Sequence, residues 1–286
     1  MEQLPFAATT PVSIGRVGLK ARNAQRLADY YVSILGLKVL SRERGRVLLG
    51  TEERPLLEIE GSTSLKQDDP RSAGLFHTAF LLPHRTDLVR WINFAIEQRI
   101  RVDGAADHDV SEAIYLTDPE GNGIEIYTDR PREAWTFNGP SVHMGTDPLN
   151  IQALLDTLST NDSDWTDAPV GTVVGHVHLR VGDVMTAEEW WRQAQGFDTM
   201  LHYGGQAVFL SSGGYHHHIA TNVWQSSGAG ARDDRRAGLA WLVFEASDVA
   251  TRDATLARLE AAGVPVTPEN DAMAVRDPWG TRIRLR

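Results

Sequence analysis

Two stretches of the chain carry the same landmarks at one constant offset, and that repetition narrows the possible folds more than any other feature. Landmarks within residues 12–61 recur within residues 173–222, each shifted by 160: Gly15 answers Gly175, Arg16 answers His176, Leu19 answers Leu179, Gly36 answers Gly196, Gly45 answers Gly205 and Ile59 answers Ile219. Each stretch opens with an apolar strand, ValSerIleGlyArgValGlyLeuLys in the first copy. A helix follows from about Asn23, and Gly36 stops it where a left-handed residue is wanted. Three short strands close the unit, the last ending LeuLeuGluIleGluGly. Residues 74–128 and 238–286 form a second related pair, in which GlyLeuPheHisThrAlaPhe answers GlyLeuAlaTrpLeuValPhe, and AspProGluGlyAsnGlyIleGluIle answers AspProTrpGlyThrArgIleArgLeu. Their helices are expected near 86–99 and 250–262, the latter ending at Gly263. The chain therefore reads as α+β, four βαβββ modules of roughly 50 residues each. Modules one and two fill 1–128, a connector 129–172, and modules three and four 173–286.

Within module two, the run from His108 to Glu125 concentrates side chains with chemistry. Two short alternating runs flank Asp118-Pro119-Glu120-Gly121, which predicts strand, tight turn, strand. On the second strand Ile124 and Ile126 point one way and Glu125 the other. A carboxylate in the middle of an otherwise apolar strand is costly to bury unless a cation faces it. Tyr115 lies on the partner strand, with His108 seven residues before it. Spacing alone fits a plain hairpin with a surface Glu equally well.

Composition removes several function classes. At 286 residues the chain is comfortable for two domains, and a net charge of −10 with no basic run argues against a nucleic-acid partner. Ten histidines and no cysteine exclude disulfides, thiolate metal sites and cysteine nucleophiles together. The N-terminus lacks the basic start and apolar core of a signal peptide, and no apolar run approaches the roughly 20 residues of a membrane span. The expectation is a soluble, cytoplasmic protein; its oligomeric state is open, a homo-oligomer included. The connector holds Pro131, Pro140 and Pro148, a short helix expected at 149–158, and an Asn/Asp/Ser-rich loop at 160–168. A second loop, 223–237, is rich in Gly and charge and suits either a solvent loop or a lid.

Four such modules resemble the vicinal-oxygen-chelate superfamily, which includes glyoxalases, bleomycin-resistance proteins and extradiol dioxygenases, and in which paired modules form open barrels around a metal. The block His108, Tyr115, Asp118-Pro119-Glu120-Gly121 and Glu125 resembles the signature of extradiol ring-cleaving enzymes of the catechol 2,3-dioxygenase type. Only Ala106, two before His108, departs from the residues usual there. The resemblance implies two paired open-barrel domains and a 2-His-1-Glu site for Fe(II), with Mn(II) sharing the same ligand taste. It also implies a catecholic substrate, O2 as co-substrate and a semialdehyde-type product.

Carried over residue by residue, the metal-binding histidines belong on first strands, at His77 and His176, and the carboxylate on a last strand, at Glu125. Modules one and four have Arg16 and Trp241 at the first-strand position, and module four also has Ala274 for the Tyr and Arg284 for the Glu. The ligands thus fall in modules two and three, whereas the commonest extradiol arrangement uses the third and fourth. The expected consequence is that two and three pair around the site and one and four pair without metal. Pairing one with two and three with four would split His176 from His77 and Glu125. The resemblance further implies His217 as acid–base, Tyr115 hydrogen-bonding a substrate oxygen and His108 holding the diol. Strand alternation separates His217 from His216 and His218, so His218 takes that role if the outer pair faces the metal; a surface metal patch is the other reading of this triple. His178 is expected to pack or to support His176, and His84, His143 and His202 to lie at the surface. Two other classes remain: a glyoxalase-like isomerase, for which Glu58 would supply a second carboxylate, and a metal-free binding protein, which has no need of these histidines.

Overall fold

The computed structural model describes residues 4–159 and 164–286 and builds every module on one plan. Module one runs β1 (Val12–Ala21), α1 (Ala24–Leu35), β2 (Lys38–Glu43), β3 (Arg46–Gly50) and β4 (Pro55–Gly61). Module two runs β5 (Gly74–Leu81), α2 (Arg85–Glu97), β6 (Gly104–Asp107), β7 (Ser111–Thr117) and β8 (Gly123–Asp129). The connector contributes β9 (Phe137–Asn138), β10 (Ser141–Val142) and α3 (Ile151–Leu155). Module three follows with β11 (Val173–Arg180), α4 (Val184–Trp190), a π turn over Trp191–Gln195, β12 (Asp198–Tyr203), β13 (Ala207–Ser211) and β14 (Ile219–Asn222). Module four is β15 (Gly238–Ala246), α5 (Val249–Ala261), β16 (Thr267–Glu269), β17 (Ala272–Arg276) and β18 (Arg282–Leu285).

Local chemistry explains the punctuation. Asn23, Asp183 and Asp248 cap α1, α4 and α5, each side chain accepting a backbone N–H three residues on. Gly36 and Gly196 close the helices of modules one and three at φ 69° and 74°, the left-handed conformation their spacing predicted. The helix of α1 buries Leu27, Ala28, Tyr31, Ile34 and Leu35, one apolar stripe at helical spacing.

Two eight-stranded sheets result, in the orders β16-β17-β18-β15-β1-β4-β3-β2 and β12-β13-β14-β11-β5-β8-β7-β6. The first joins modules four and one; the second joins modules three and two. In each sheet the first strands of two modules meet antiparallel at the centre, β1 with β15 and β5 with β11. Each first strand is flanked on its other side by its own module's last strand, running parallel, as β8 does beside β5 and β14 beside β11. First strands are therefore buried almost end to end, β11 along its whole length. A large apolar cluster spans both sheets and their helices, and a smaller one around Tyr127, Trp135 and Tyr215 lies beneath the connector and the N-terminal turn. Among the described residues no helix is long and apolar enough to cross a membrane.

One loop expectation lies partly outside the described residues and another changes. Residues 160–163 of the polar connector loop lie outside the described residues. The 223–237 loop is not a free lid: Lys66 N–H bonds Arg235 O, Ala237 N–H bonds Lys66 O and Gly228 N–H bonds Gly182 O, tying it down along its length. Only Trp224, at its start, reaches the cavity described next.

Candidate active site

The order β11-β5-β8 puts three side chains on neighbouring strands. His77 on β5 sits across from His178 on β11, and β8 brings Glu125 level with Ala79 of β5. His77, His176 and Glu125 are all buried, and their ligand atoms converge. His77 Nε2 lies 3.2 Å from His176 Nε2, His176 Nε2 lies 3.0 Å from Glu125 Oε2, and His77 Nε2 lies 3.1 Å from the same oxygen.

This near-equilateral triangle tests the fit of a metal. Ligands about 2.1 Å from a first-row divalent ion and at right angles to one another stand about 3.0 Å apart. The three observed edges match one triangular face of such an octahedron. Hydrogen bonds alone serve the cluster poorly: if both imidazoles donate to Glu125 Oε2, their two N–H groups face each other across 3.2 Å. Burial pushes the Glu125 carboxyl up, but His176 and His77 more than offset it and hold it well below the usual carboxylate range. Burial drives His176 down to about 4, against the opposing pull of Glu125. Two neutral imidazoles and one carboxylate are the donor set a hard-to-borderline divalent ion accepts. The His176 Nδ1 finds no acceptor among the described residues.

Tyr115 on β7 is the cross-strand partner of Glu125. Its hydroxyl lies 2.6 Å from His108 Nε2, and His108 Nδ1 lies 2.8 Å from the carbonyl of Gly145. A carbonyl only accepts, so in the neutral ring Nδ1 carries the proton and Nε2 accepts from the phenol. Burial, then the Glu125 charge, pushes the Tyr115 hydroxyl well above its ordinary range, so it remains a neutral donor.

His217 also reaches the site. Its ring centroid is 4.1 Å from that of His176, while His218 turns away to Thr10 and the Ala7 carbonyl, and His216 to Asp129. The separation of His217 from its neighbours agrees with the alternation expected on a strand, but its origin differs. The strand β14 begins only at Ile219; residues 213–218 form an irregular segment opened by Gly213 and Gly214 at φ 66° and 73°. Burial, then the adjoining His176 and His216, hold the His217 imidazole well below its usual range.

These groups line a cavity of about 370 Å³. Its remaining wall is mostly apolar, with Phe76, Val110, Met144, Leu201, Phe209 and Trp224 beside Ser111, Thr146, His178 and Tyr203. Met144 and Thr146 come from the connector, to which the sequence assigns prolines, a short helix and a polar loop but no part in the site. The cavity also exposes His178, held by Asn222 at 2.9 Å, so this ring is a wall residue beside His77 rather than a support behind His176. His143 and His202 are at the surface, with side chains 67% and 53% exposed, and His84, also exposed, caps α2.

The other sheet carries the equivalent positions filled differently. Trp241 stands where module two has His77, between the guanidinium groups of Arg284 and Arg16, 4.1 Å and 5.4 Å from its ring centroid. Glu58 faces Arg16 at 3.8 Å and Glu269 holds Arg284 at 2.8 Å. Glu58 is thus committed to the opposite sheet and supplies no second carboxylate to the His77 cluster.

A pair of eight-stranded sheets from repeated βαβββ modules, one of them framing a His–Glu–His cluster, defines a metal-chelating class of fold. The chain belongs to the Glyoxalase/Bleomycin resistance protein/Dioxygenase superfamily, whose profile matches residues 13–126 and 173–285. Among its relatives, the catechol-2,3-dioxygenase of Bacillus subtilis (strain 168) is 35% identical over 269 residues, 93% of each protein. Biphenyl-2,3-diol 1,2-dioxygenase 2 of Rhodococcus globerulus is 26% identical over 56% of this chain and 90% of its own. Among solved structures, glyoxalase I from Zea mays shares the fold with a TM-score of 0.57 at 13% identity, covering 98% of this chain and 94% of that one.

Proposed function

We propose that this protein is an extradiol ring-cleaving dioxygenase that adds both atoms of O2 to catechol or an apolar-substituted catechol and yields a semialdehyde-type product. The observation that carries the reading is the buried triangle of His77, His176 and Glu125 with Tyr115, His108 and His217 around one cavity. The 35% identity to a catechol-2,3-dioxygenase across 93% of the chain supports it independently. His77, His176 and Glu125 would hold Fe(II); Mn(II) satisfies the same donors. When bound, the ion supplies Lewis acidity toward a diol and a path for electrons between a closed-shell ring and triplet oxygen.

The chain's own residues do the rest. Tyr115, fixed by His108, orients one diol oxygen, and His217 takes or returns a proton at its Nε2. The apolar wall from Phe76 to Trp224 excludes water and strengthens these contacts. A glyoxalase-type isomerase would need a fourth protein ligand, and Glu58 does not reach.

The test is direct. The protein is purified anaerobically, its metal is determined, and catechol and air are then added. Iron together with a yellow ring-fission product and one O2 consumed per catechol is expected. Bound metal with no oxygen uptake on any catechol would defeat the dioxygenase reading and favour an isomerase or lyase. Glu125→Ala is expected to lose metal while keeping its circular dichroism, since the sheet of modules one and four holds no part of the site. Full metal occupancy in that variant would refute the ligand assignment.

A further inference from the structure

Behind His217, away from the cavity, a line of hydrogen bonds runs to Asp129 at the end of β8. His217 Nδ1 lies 2.8 Å from His216 Nδ1, and His216 Nε2 lies 3.0 Å from Asp129 Oδ1. The same oxygen accepts the Tyr215 hydroxyl at 3.1 Å, and the Tyr127 and Tyr215 hydroxyls are 2.7 Å apart. His216, Tyr127 and Tyr215 are completely buried, and the rings of Tyr215 and Trp135 hold the His216 plane at centroid distances of 4.0 Å and 5.3 Å.

The direction of each bond follows from what the atoms can do. A carboxylate oxygen only accepts, so His216 presents Nε2–H to Asp129 and Tyr215 presents its O–H. A neutral His216 protonated on Nε2 then offers a lone pair at Nδ1. His217 must meet that lone pair with Nδ1–H, which leaves the Nε2 of His217 unprotonated. No described side chain bonds that Nε2, and His217 is a wall residue of the cavity. The arrangement has the logic of a catalytic triad, in which a buried carboxylate selects the tautomer of a base through a hydrogen bond to its far nitrogen. Here one more imidazole stands between the two.

We propose that Asp129 and His216 are positioning residues that fix His217 as the Nδ1–H tautomer and so keep its Nε2 lone pair open to the substrate. The inference rests on the acid–base role given to His217 in the proposed function, but the tautomer itself can be read without turnover. Long-range proton–nitrogen NMR on the full chain, loaded with diamagnetic Zn(II), reports it, with His217 assigned from the spectrum of His217→Gln. Wild type should show His217 protonated on Nδ1. Asp129→Ala should give mixed tautomers at His217, with kcat on catechol reduced at least about tenfold, KM within about threefold and metal content unchanged. Asp129→Asn, which can keep an oxygen in the same place, should restore the wild-type tautomer and most of kcat.

A wild-type His217 protonated on Nε2 would overturn the proposal even if the Ala variant failed to fold. So would an Asp129→Ala protein with unchanged tautomer and kcat. An Nδ1–H signal in a protein that cleaves no catechol would refute the reaction while upholding the tautomer chain, so the two failures are distinguishable.

Discussion

Gly175, immediately before His176, shows how closely the residues around the triangle are fitted. A Cβ there would stand 1.8 Å from the Tyr127 hydroxyl, which is itself bonded to Tyr215. The approach needs glycine for space rather than for backbone freedom, and β11 takes a bulge at this point. Gly175→Ala is expected to lower unfolding free energy by about 2–3 kcal/mol, because overpacking must push Tyr127 off its hydroxyl partner. Chemical denaturation measures it, and a change under about 0.5 kcal/mol would mean that the strand relaxes without disturbing Tyr127. Tyr115 makes the complementary case of a residue fitted for chemistry. Tyr115→Phe keeps the ring against Glu125 and removes only the donor that meets His108. We expect kcat to fall about 10²-fold with metal retention and thermal stability little changed; equal kcat would place the diol elsewhere in the cavity.

At the scale of elements, the Asp-Pro-x-Gly turns repeat one device with two outcomes. Asp118 Oδ1 accepts the N–H groups of Glu120 and Asn122, and Asp277 Oδ1 those of Trp279 and Thr281. The second oxygen of Asp118 is met by Tyr31 and Asn122, whereas Asp277 Oδ2 has no partner among the described residues. Burial accordingly pushes Asp277 up to about 6, with the turn N–H groups and Arg232 resisting. A raised carboxyl means the folded state keeps a proton that the unfolded state releases. Its contribution is fully present below the unfolded value of about 3.8 and is lost as pH rises through about 6. Asp277→Asn keeps the Oδ1 acceptor without the ionisation, so the variant should match wild type near pH 3.5 and exceed it by up to about 2–3 kcal/mol above pH 7. A gap that does not open with pH would mean that Asp277 ionises freely in the fold. Much at this scale was legible in the chain. The strand starts, the helix stops at Gly36 and Gly196 and the paired Asp-Pro turns are local signals, and local signals survive into the structure. The segment before β14 was not, because alternation cannot separate a strand from an extended loop, and two left-handed glycines make 213–218 the latter. The meeting of His216 with Asp129 was not legible for another reason: it depends on β8 and β14 flanking the same central strand pair, which is a property of topology and not of spacing. The connector's place over the cavity was equally hidden, since Met144 reaches it through the bridge between Asp107 and Asp147.

Taken whole, the molecule uses one plan twice and fills the equivalent site differently in each copy. In the sheet of modules one and four, Trp241 and its two arginines fill the space that His77, His176 and Glu125 leave beside a cavity in the other. Arg16 and Arg284 therefore stand in the wrong sheet to help a substrate: among the described residues no Lys or Arg lines the cavity, and Glu125 adds a negative charge to it. A ring substituent that points at Phe76, Leu201, Phe209 or Trp224 meets an apolar surface. A methyl or larger alkyl group gains from that contact, about 0.8 kcal/mol for each buried carbon. A carboxylate there sheds its hydration with no cation to replace it, which costs several kcal/mol even when relaxation is allowed for. The proposed ligand set would give no relief, because a divalent ion held there would already face one carboxylate and, in the proposed reaction, an ionising diol. With a difference of about 3 kcal/mol or more, kcat/KM for 4-methylcatechol should exceed that for 3,4-dihydroxybenzoate at least about 10²-fold. The ratio should hold at high ionic strength, since it comes from desolvation inside the cavity and not from the overall charge of −10 repelling an anion from outside. A ratio that collapses in salt would assign the selectivity to the surface field instead, and comparable rates at low salt would mean that a cation reaches the bound substituent from beyond the cavity wall.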